Sequence, residues 1–389
     1  MELKQCTRCV LDTTAKDITF DEKGVCNYCH GYDKIAVDTV LRDRKIIEAE
    51  RDAIFERIKA EGKKQDYDCI IGLSGGVDST YLCLLAKKLG LRPLIVHFDN
   101  GWNSELAVKN IENVVSKLDY PLKTYVADWE EFKDLQLAYF KASVVDIEVP
   151  TDHLIFASLY RIAKENGIKT ILSGTNIVTE GVVPIGWNFT EKNDLVNLTN
   201  IHKKFGTKKL KNFPKLGIYQ RYIYNNFYSI RSVPILNYFD YVKKDIKVVI
   251  QKELDWRDYG GKHYESIFTR FYQGYILPEK FNIDKRKMHL SSLICSGQMT
   301  RDEALKELEA PGYDPAMQAE DKTYVLKKLG LTNEEFQKMM DQPPVPHSVF
   351  GSQWDKKYFR KYYYFKIFMN PIAAIYKKIR GYNVKKHTY

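Results

Sequence analysis

Apolar residues change their spacing along the chain, and the changes divide it. From about Asp33 to Lys64 they recur at helical intervals (Ile46, Ile47, Ala53, Ile54, Ile58), which predicts a connecting helix. Asp68–Leu73 is then a short apolar run, as in a strand buried on both faces. Helical spacing returns over Ser79–Leu89 and stops at Gly90. The alternation continues with strands at Leu94–Phe98, Leu122–Ala127 and Lys169–Ser173. Helices are expected at Asn103–Leu118, Trp129–Lys141 and Asp152–Asn166, the last closed by Gly167. Strands alternating with helices imply right-handed βαβ units, hence an α/β fold with a doubly wound parallel sheet over residues 65–181. Ligands of such sheets sit at the carboxyl ends of the strands.

From about Gly181 the alternation fades, and Tyr and Phe recur at short intervals through Tyr241. Helices and long loops are expected over 182–342. Two capping boxes, Thr300–Glu303 and Thr332–Glu335, open helices there. Pro343, Pro344 and Pro346 break the chain before a tail over 343–389.

The 389 residues carry a formal net charge of +10. From Gly351 onward there are ten Lys or Arg and one acid, Asp355, so the tail holds +9 of it. The body is nearly neutral, and nucleic acid is not the expected partner. No apolar stretch is long enough for a transmembrane helix, and the first residues lack a signal-peptide pattern. A cytoplasmic protein is expected. In the tail, Tyr358, Phe359, Tyr362, Tyr363, Tyr364, Phe365 and Phe368 interleave with basic residues, a composition suited to peripheral contact with an anionic membrane. Packing on the body or docking a protein fits the same residues.

The most informative segment is Ser74-Gly75-Gly76-Val77-Asp78-Ser79, between a strand and a helix. Two glycines let the backbone turn tightly, and amides at a helix N-terminus cradle an anion. Ser74 and Ser79 offer hydroxyls to phosphate oxygens. Asp78 would be repelled by phosphate unless Mg²⁺ stood between them. The lysine of a Walker A loop is missing. The pattern resembles the PP-loop family of ATP pyrophosphatases, and that resemblance implies ATP cleaved between its α and β phosphates. At the next strand ends, His97, Phe98 and Asp99 fall at the family's adenine edge. Gly174, Thr175 and Asn176 fall where relatives contact nucleotide or adenylated substrate.

Cys6-x-x-Cys9 and Cys26-x-x-Cys29 stand sixteen residues apart and form two knuckles (residues 1–32). Four sulfurs favour tetrahedral Zn²⁺ in a structural role, with iron–sulfur open on the same ligands.

Together the cysteine module, the loop, HFDNGWNSELAVKNI, PTDHLIFASLYRIA, SGTNIVTEG and GGKHYESIFTRFYQGYILPEKF resemble the N-acetyl sugar amidotransferases of bacterial surface-polysaccharide (O-antigen) synthesis. The resemblance runs from Cys6 to about Asp314. It implies conversion of an acetamido group of a nucleotide-linked sugar to an acetamidino group, through an adenylate and ammonia. Asp152, His153, Asn176, Thr179, Glu180 and Trp187 are then candidate substrate residues. Lys262, His263 and Arg286 are candidates to neutralise phosphate or the adenylate. Asp152 also fits a plain N-cap, and Trp187 plain packing. No glutaminase nucleophile is evident, so a separate glutaminase subunit is the expected ammonia source. An RNA-modifying PP-loop enzyme and a non-enzymatic zinc adaptor are the competing readings.

Overall fold

The computed structural model describes residues 3–261 and 264–379. Two helices, α1 (Asn27–Asp38) and α2 (Arg44–Gly62), precede β1 (Cys69–Gly72). Then come α3 (Val77–Lys88), β2 (Pro93–Asp99), α4 (Glu105–Leu118), β3 (Leu122–Val126), α5 (Trp129–Lys141), α6 (Val149–Glu165) and β4 (Thr170–Ser173). The chain continues through α7 (Ile177–Glu180), α8 (Leu195–Phe205), α9 (Ile218–Phe227), β5 (Arg231–Pro234) and α10 (Lys243–Leu254). The C-terminal part is helical: α11 (Ile267–Phe271), α12 (Leu277–Phe281), α13 (Lys285–Cys295), α14 (Arg301–Glu309), α15 (Pro315–Leu329), α16 (Asn333–Asp341) and α17 (Lys356–Ile379).

The sheet is parallel throughout, in the order β3-β2-β1-β4-β5. The chain builds outward from β1 to β3, then returns to lay β4 against the other side of β1. That reversal makes a crevice at the carboxyl ends of β1 and β4, where open α/β sheets bind ligands. Period-two alternation explains the two covered faces. Cys69, Ile71, Leu73 and Ile95 pack with α2, α3, α4 and α10, whereas Ile70, Leu94, Val96 and Ile171 pack under α6. The doubly wound expectation is met.

Two features depart from the sequence reading. The expected helix over 33–64 is two helices, and α1 starts at Asn27, inside the second cysteine knuckle. The break falls where the Asp43 carboxylate caps α2 by accepting from the Lys45 amide. The second departure is β5, a short edge strand whose Arg231 pairs with Glu61 on α2.

The cysteine knuckles are not an appendage. Their sulfurs share one core with Trp102, Phe132, Phe271, Tyr272 and Phe336. Arg301 on α14 donates to the carbonyls of Cys6 and Cys9, each at 3.2 Å, and Lys287 on α13 pairs with Asp12 at 2.5 Å. Among the described residues no helix is long and apolar enough to cross a membrane.

Candidate active site

The Ser74–Ser79 loop links β1 to α3 at the crevice. Gly75 has φ +85°, and a Cβ there would lie 2.8 Å from the Tyr259 hydroxyl and 3.0 Å from the Ala107 carbonyl. Only glycine suits that backbone and that closeness. The Gly75 carbonyl accepts from Trp256 Nε1 at 2.7 Å and from the Tyr259 hydroxyl at 2.6 Å, which ties the loop to the segment after α10. Ser74 Oγ and Ser79 Oγ converge at 3.3 Å, and the Ser74 amide donates to Ser79 Oγ at 3.3 Å. Two hydroxyls thus stand beside the N-terminus of α3, where a helix favours an anion.

Asp78 lies in the first turn of α3. Its Oδ1 accepts from Asn176 Nδ2 at 3.3 Å and from the Tyr241 hydroxyl. Burial first, and then the Asp78 charge, push the Tyr241 hydroxyl far above the usual phenol range, so Tyr241 stays a donor. Gly174 brings β4 so close that a Cβ would lie 3.3 Å from the Asp78 carbonyl carbon. Glu265 also approaches the loop, with Oε1 3.2 Å from where a Gly76 Cβ would be. Asp78 and Glu265 are hard oxygen donors beside a phosphate cradle. That set suits Mg²⁺ bound together with a nucleotide.

The remaining candidates divide. His97 Nδ1 donates to the Leu73 carbonyl at 3.2 Å and Nε2 accepts from Asn103 at 3.1 Å, while burial lowers its pKa. It therefore laces β2 to β1. Phe98 packs on Tyr125, and Asp99 accepts from the Gly101 amide at 2.8 Å. Thr175 bonds Ser173 across the end of β4, and Asn176 caps α7.

Four candidates are buried or bonded within the chain. His153 is fully buried, with Nδ1 donating to the Lys192 carbonyl and Nε2 accepting the Leu216 amide, each at 3.0 Å. Both nitrogens are engaged, and burial lowers its pKa to about 4. It is a neutral structural group. Trp187 is buried with no face open for a sugar, and Thr179 is buried with its hydroxyl bonded to Asn176. Arg286 is held by Asp284 and the Ala310 carbonyl. Glu180 interacts electrostatically with Tyr241. Lys262 and His263 lie outside the described residues.

The sequence reading missed a second cluster near Asp152. Asp146 is 1% exposed and pairs with Lys192 at 2.5 Å, and Lys192 also reaches Asp152 at 3.0 Å. Against burial, the Lys192 and Lys285 charges keep Asp146 below the usual carboxylate range. Glu148 accepts from the Thr269 hydroxyl at 2.6 Å. Burial, reinforced by Asp152 and Asp146, raises Glu148 to about 7. Burial lowers Lys285, at the start of α13, to about 8. No motif marks these residues.

The four knuckle sulfurs fit a metal. Cys6–Cys29, Cys9–Cys26 and Cys26–Cys29 are 3.9, 3.7 and 3.6 Å apart. A tetrahedron with Zn–S bonds near 2.3 Å has edges of about 3.8 Å. All four cysteines are buried, as a closed structural site requires.

Comparisons with known proteins add the following. No curated protein matches the chain. Among solved structures, the NH3-dependent NAD synthetase of Campylobacter jejuni subsp. jejuni NCTC 11168, in complex with the nitrate ion, is 12% identical with a TM-score of 0.31. The alignment covers 78% of this chain and 99% of that one. NMN synthetase from Francisella tularensis is 13% identical with a TM-score of 0.29, over 55% of this chain and 96% of that one. Residues 265–363 match the family described as "LPS biosynthesis protein WbpG-like, C-terminal domain". The helical part that opens with Glu265, beside the Ser74–Ser79 loop, is therefore similar to that family's C-terminal domain.

Proposed function

We propose that this chain is an ATP-dependent amidotransferase of surface-polysaccharide synthesis. It adenylates the acetamido oxygen of a nucleotide-linked sugar and replaces it with nitrogen, giving an acetamidino group. One observation carries the reading. The segment similar to the WbpG-like domain begins against the phosphate cradle, with Glu265 Oε1 3.2 Å from where a Gly76 Cβ would be, and the Ser104 amide donating to the Glu265 carbonyl and the Ile267 amide to the Trp102 carbonyl tie it to the β2–α4 connection. A loop suited to nucleotide phosphate and a segment similar to an LPS-biosynthesis domain thus meet, which supports the reading.

The chemistry follows from the leaving group. An amide oxygen is a poor one, and as part of AMP it becomes a good one. The α3 N-terminus and the Ser74 and Ser79 hydroxyls would hold the departing pyrophosphate, and positioning and charge stabilisation supply most of the catalysis. Asp78 and Glu265 would hold Mg²⁺, which neutralises phosphate charge when bound. Tyr241 and Asn176 orient Asp78. Zinc in the cysteine knuckles would be structural. Ammonia would come from a separate glutaminase, because no glutaminase nucleophile is evident in the sequence.

The test is mass spectrometry of UDP-acetamido sugars incubated with ATP, Mg²⁺ and ammonium. The expected product is lighter by the difference between O and NH, with AMP and pyrophosphate formed alongside. Glutamine alone should not support turnover until a glutaminase is added. Release of ADP and phosphate refutes the proposal.

A further inference from the structure

The charged cluster beside the crevice has a chemistry that ATP activation does not use. Asp146, Glu148 and Asp152 come from the start of α6 and the loop before it, Lys192 from the segment before α8, and Lys285 from α13. Thr269, Tyr272 and Lys285 belong to the segment similar to the WbpG-like domain, so the cluster spans the seam between that segment and the sheet. It lies close to the cradle. Glu265 abuts Gly76, and Thr269, four residues further along the chain, donates to Glu148. Asn100, at the end of β2, donates to Thr151 at 3.5 Å.

Within the cluster the partners are unevenly shared. Asp146, Lys192 and Asp152 satisfy one another. Among the described residues the Glu148 carboxylate accepts only from Thr269, and Lys285 has no hydrogen-bond or ion-pair partner. Its ammonium stands 5.8 Å from the centre of the Tyr272 ring. Both residues are intermediate between buried and exposed. A carboxylate and a lysine left unpaired beside a satisfied salt-bridge triad are placed to exchange protons with something that enters.

We propose that Glu148, with Lys285 facing the same space, is the base that takes the proton from incoming ammonium. This rests on the amidation reading. Adenylation leaves a neutral imidate, with pyrophosphate and one proton released. Ammonium then gives a proton to the Glu148 carboxylate. The freed lone pair forms the C–N bond, and the imidate nitrogen takes up one of the ammonia protons. The C–O bond breaks with its electron pair on AMP, leaving an amidinium product. A base poised near neutrality suits this task, and Glu148 at about 7 is so poised. The charges that set it are Asp146, Asp152, Lys192 and Lys285, and Thr269 donates to it.

The test compares wild type with Glu148→Gln, which keeps an acceptor for Thr269. Ammonium-driven AMP release should fall about 100-fold. Hydroxylamine, already unprotonated near neutral pH, should react at the wild-type rate in both proteins. Equal loss with both nucleophiles, or no loss with ammonium, overturns the proposal. If wild type aminates no acetamido sugar, the amidation reading fails by itself. The base assignment is then decided by thermal melting in ammonium chloride against sodium chloride. Stabilisation specific to ammonium, present in wild type and absent in Glu148→Gln, supports the site, and equal shifts in both proteins overturn it.

A different observation carries a second inference. One side of α17 packs on α9: Tyr219 meets Tyr362 and Phe365 at 5.5 and 4.9 Å, and the Tyr222 hydroxyl donates to Asn370 at 2.7 Å. The other side is apolar and exposed. Tyr364, Phe368, Ile375 and Ile379 are 63, 71, 61 and 79% exposed, at intervals of four, seven and four residues that keep them on one face. Lys357, Arg360, Lys361 and Lys378 flank this stripe, and no acid occurs after Asp355. We infer that this face of α17 lies on an anionic lipid surface, with its rings among the acyl chains and its lysines at the headgroups. The full chain should float with phosphatidylcholine vesicles only when phosphatidylglycerol is included. Lys357→Gln and Lys361→Gln should each weaken binding about five-fold. Phe368→Ser should weaken it without changing the far-UV spectrum. Equal binding to both vesicle types, binding to neither, or a dimer in sedimentation that Phe368→Ser dissolves, overturns this inference.

Discussion

Replacing Gly75 by alanine tests whether the Ser74–Ser79 loop is held in a shape that catalysis needs. Two effects should add. At φ +85° an alanine is strained by about 1–2 kcal/mol. Its Cβ also needs space now taken by the Tyr259 hydroxyl at 2.8 Å and the Ala107 carbonyl at 3.0 Å. Relief moves Tyr259 off the Gly75 carbonyl, and one lost hydrogen bond is worth about 1 kcal/mol. The sum is about 2–3 kcal/mol. Gly90 supplies the control, because at φ +67° a Cβ there meets nothing within 4 Å. Gly90→Ala should lose only the backbone part, about 1–2 kcal/mol. Urea unfolding read by circular dichroism gives both values. AMP formation should fall at least 100-fold in Gly75→Ala, as for a lost positioning element, and persist in Gly90→Ala. Equal destabilisation of the two variants with AMP formation intact would refute the reasoning.

The purified chain should hold one Zn²⁺, measured by elemental analysis, and Cys26→Ser should lose it and destabilise the contacts of α13 and α14, since metal binding is folding energy. Tyr241→Phe removes the donor to Asp78 and should lower the AMP-forming rate about 10-fold or more and the unfolding free energy by about 1.5–3 kcal/mol, the worth of a hydrogen bond to a charged group. His153 and His347 are each lowered to about 4 by burial. The unfolded chain therefore binds more protons between about 6.5 and 4, and each histidine should remove roughly 3 kcal/mol of stability as pH falls through that window. Glu148, raised to about 7, acts in the opposite direction, because below about 7 the folded state holds the extra proton. A urea titration from neutral to acid pH should thus show net loss, and stability rising toward pH 4 would contradict the neutral-histidine assignment.

What could be read from the sequence was what is local. The strand–loop–helix around Ser74–Ser79 is specified by adjacent residues, because a phosphate cradle needs glycines and hydroxyls in sequence. The cysteine knuckles are local for the same reason. Tyr241, Trp256 and Tyr259 were not legible, since each reaches the loop from more than 160 residues away. Glu148 and Lys285 look like ordinary surface charges until folding brings them together. β5 was missed because Arg231–Pro234 is a polar edge strand without alternation. His153 was misread because a histidine at a helix start near a strand end has the same sequence context whether it faces ligand or core. α17 runs through Pro371. Its ring lies on the exposed side, where water can serve the carbonyl that loses its partner.

The central claim is that the acetamido oxygen itself is adenylated. Heavy-oxygen label in the acetamido carbonyl of the nucleotide sugar follows that atom through the reaction. The account predicts that the label leaves with AMP, in its phosphate, as the acetamidino product forms. Label retained in the sugar or released to water, with unlabelled AMP, would contradict it.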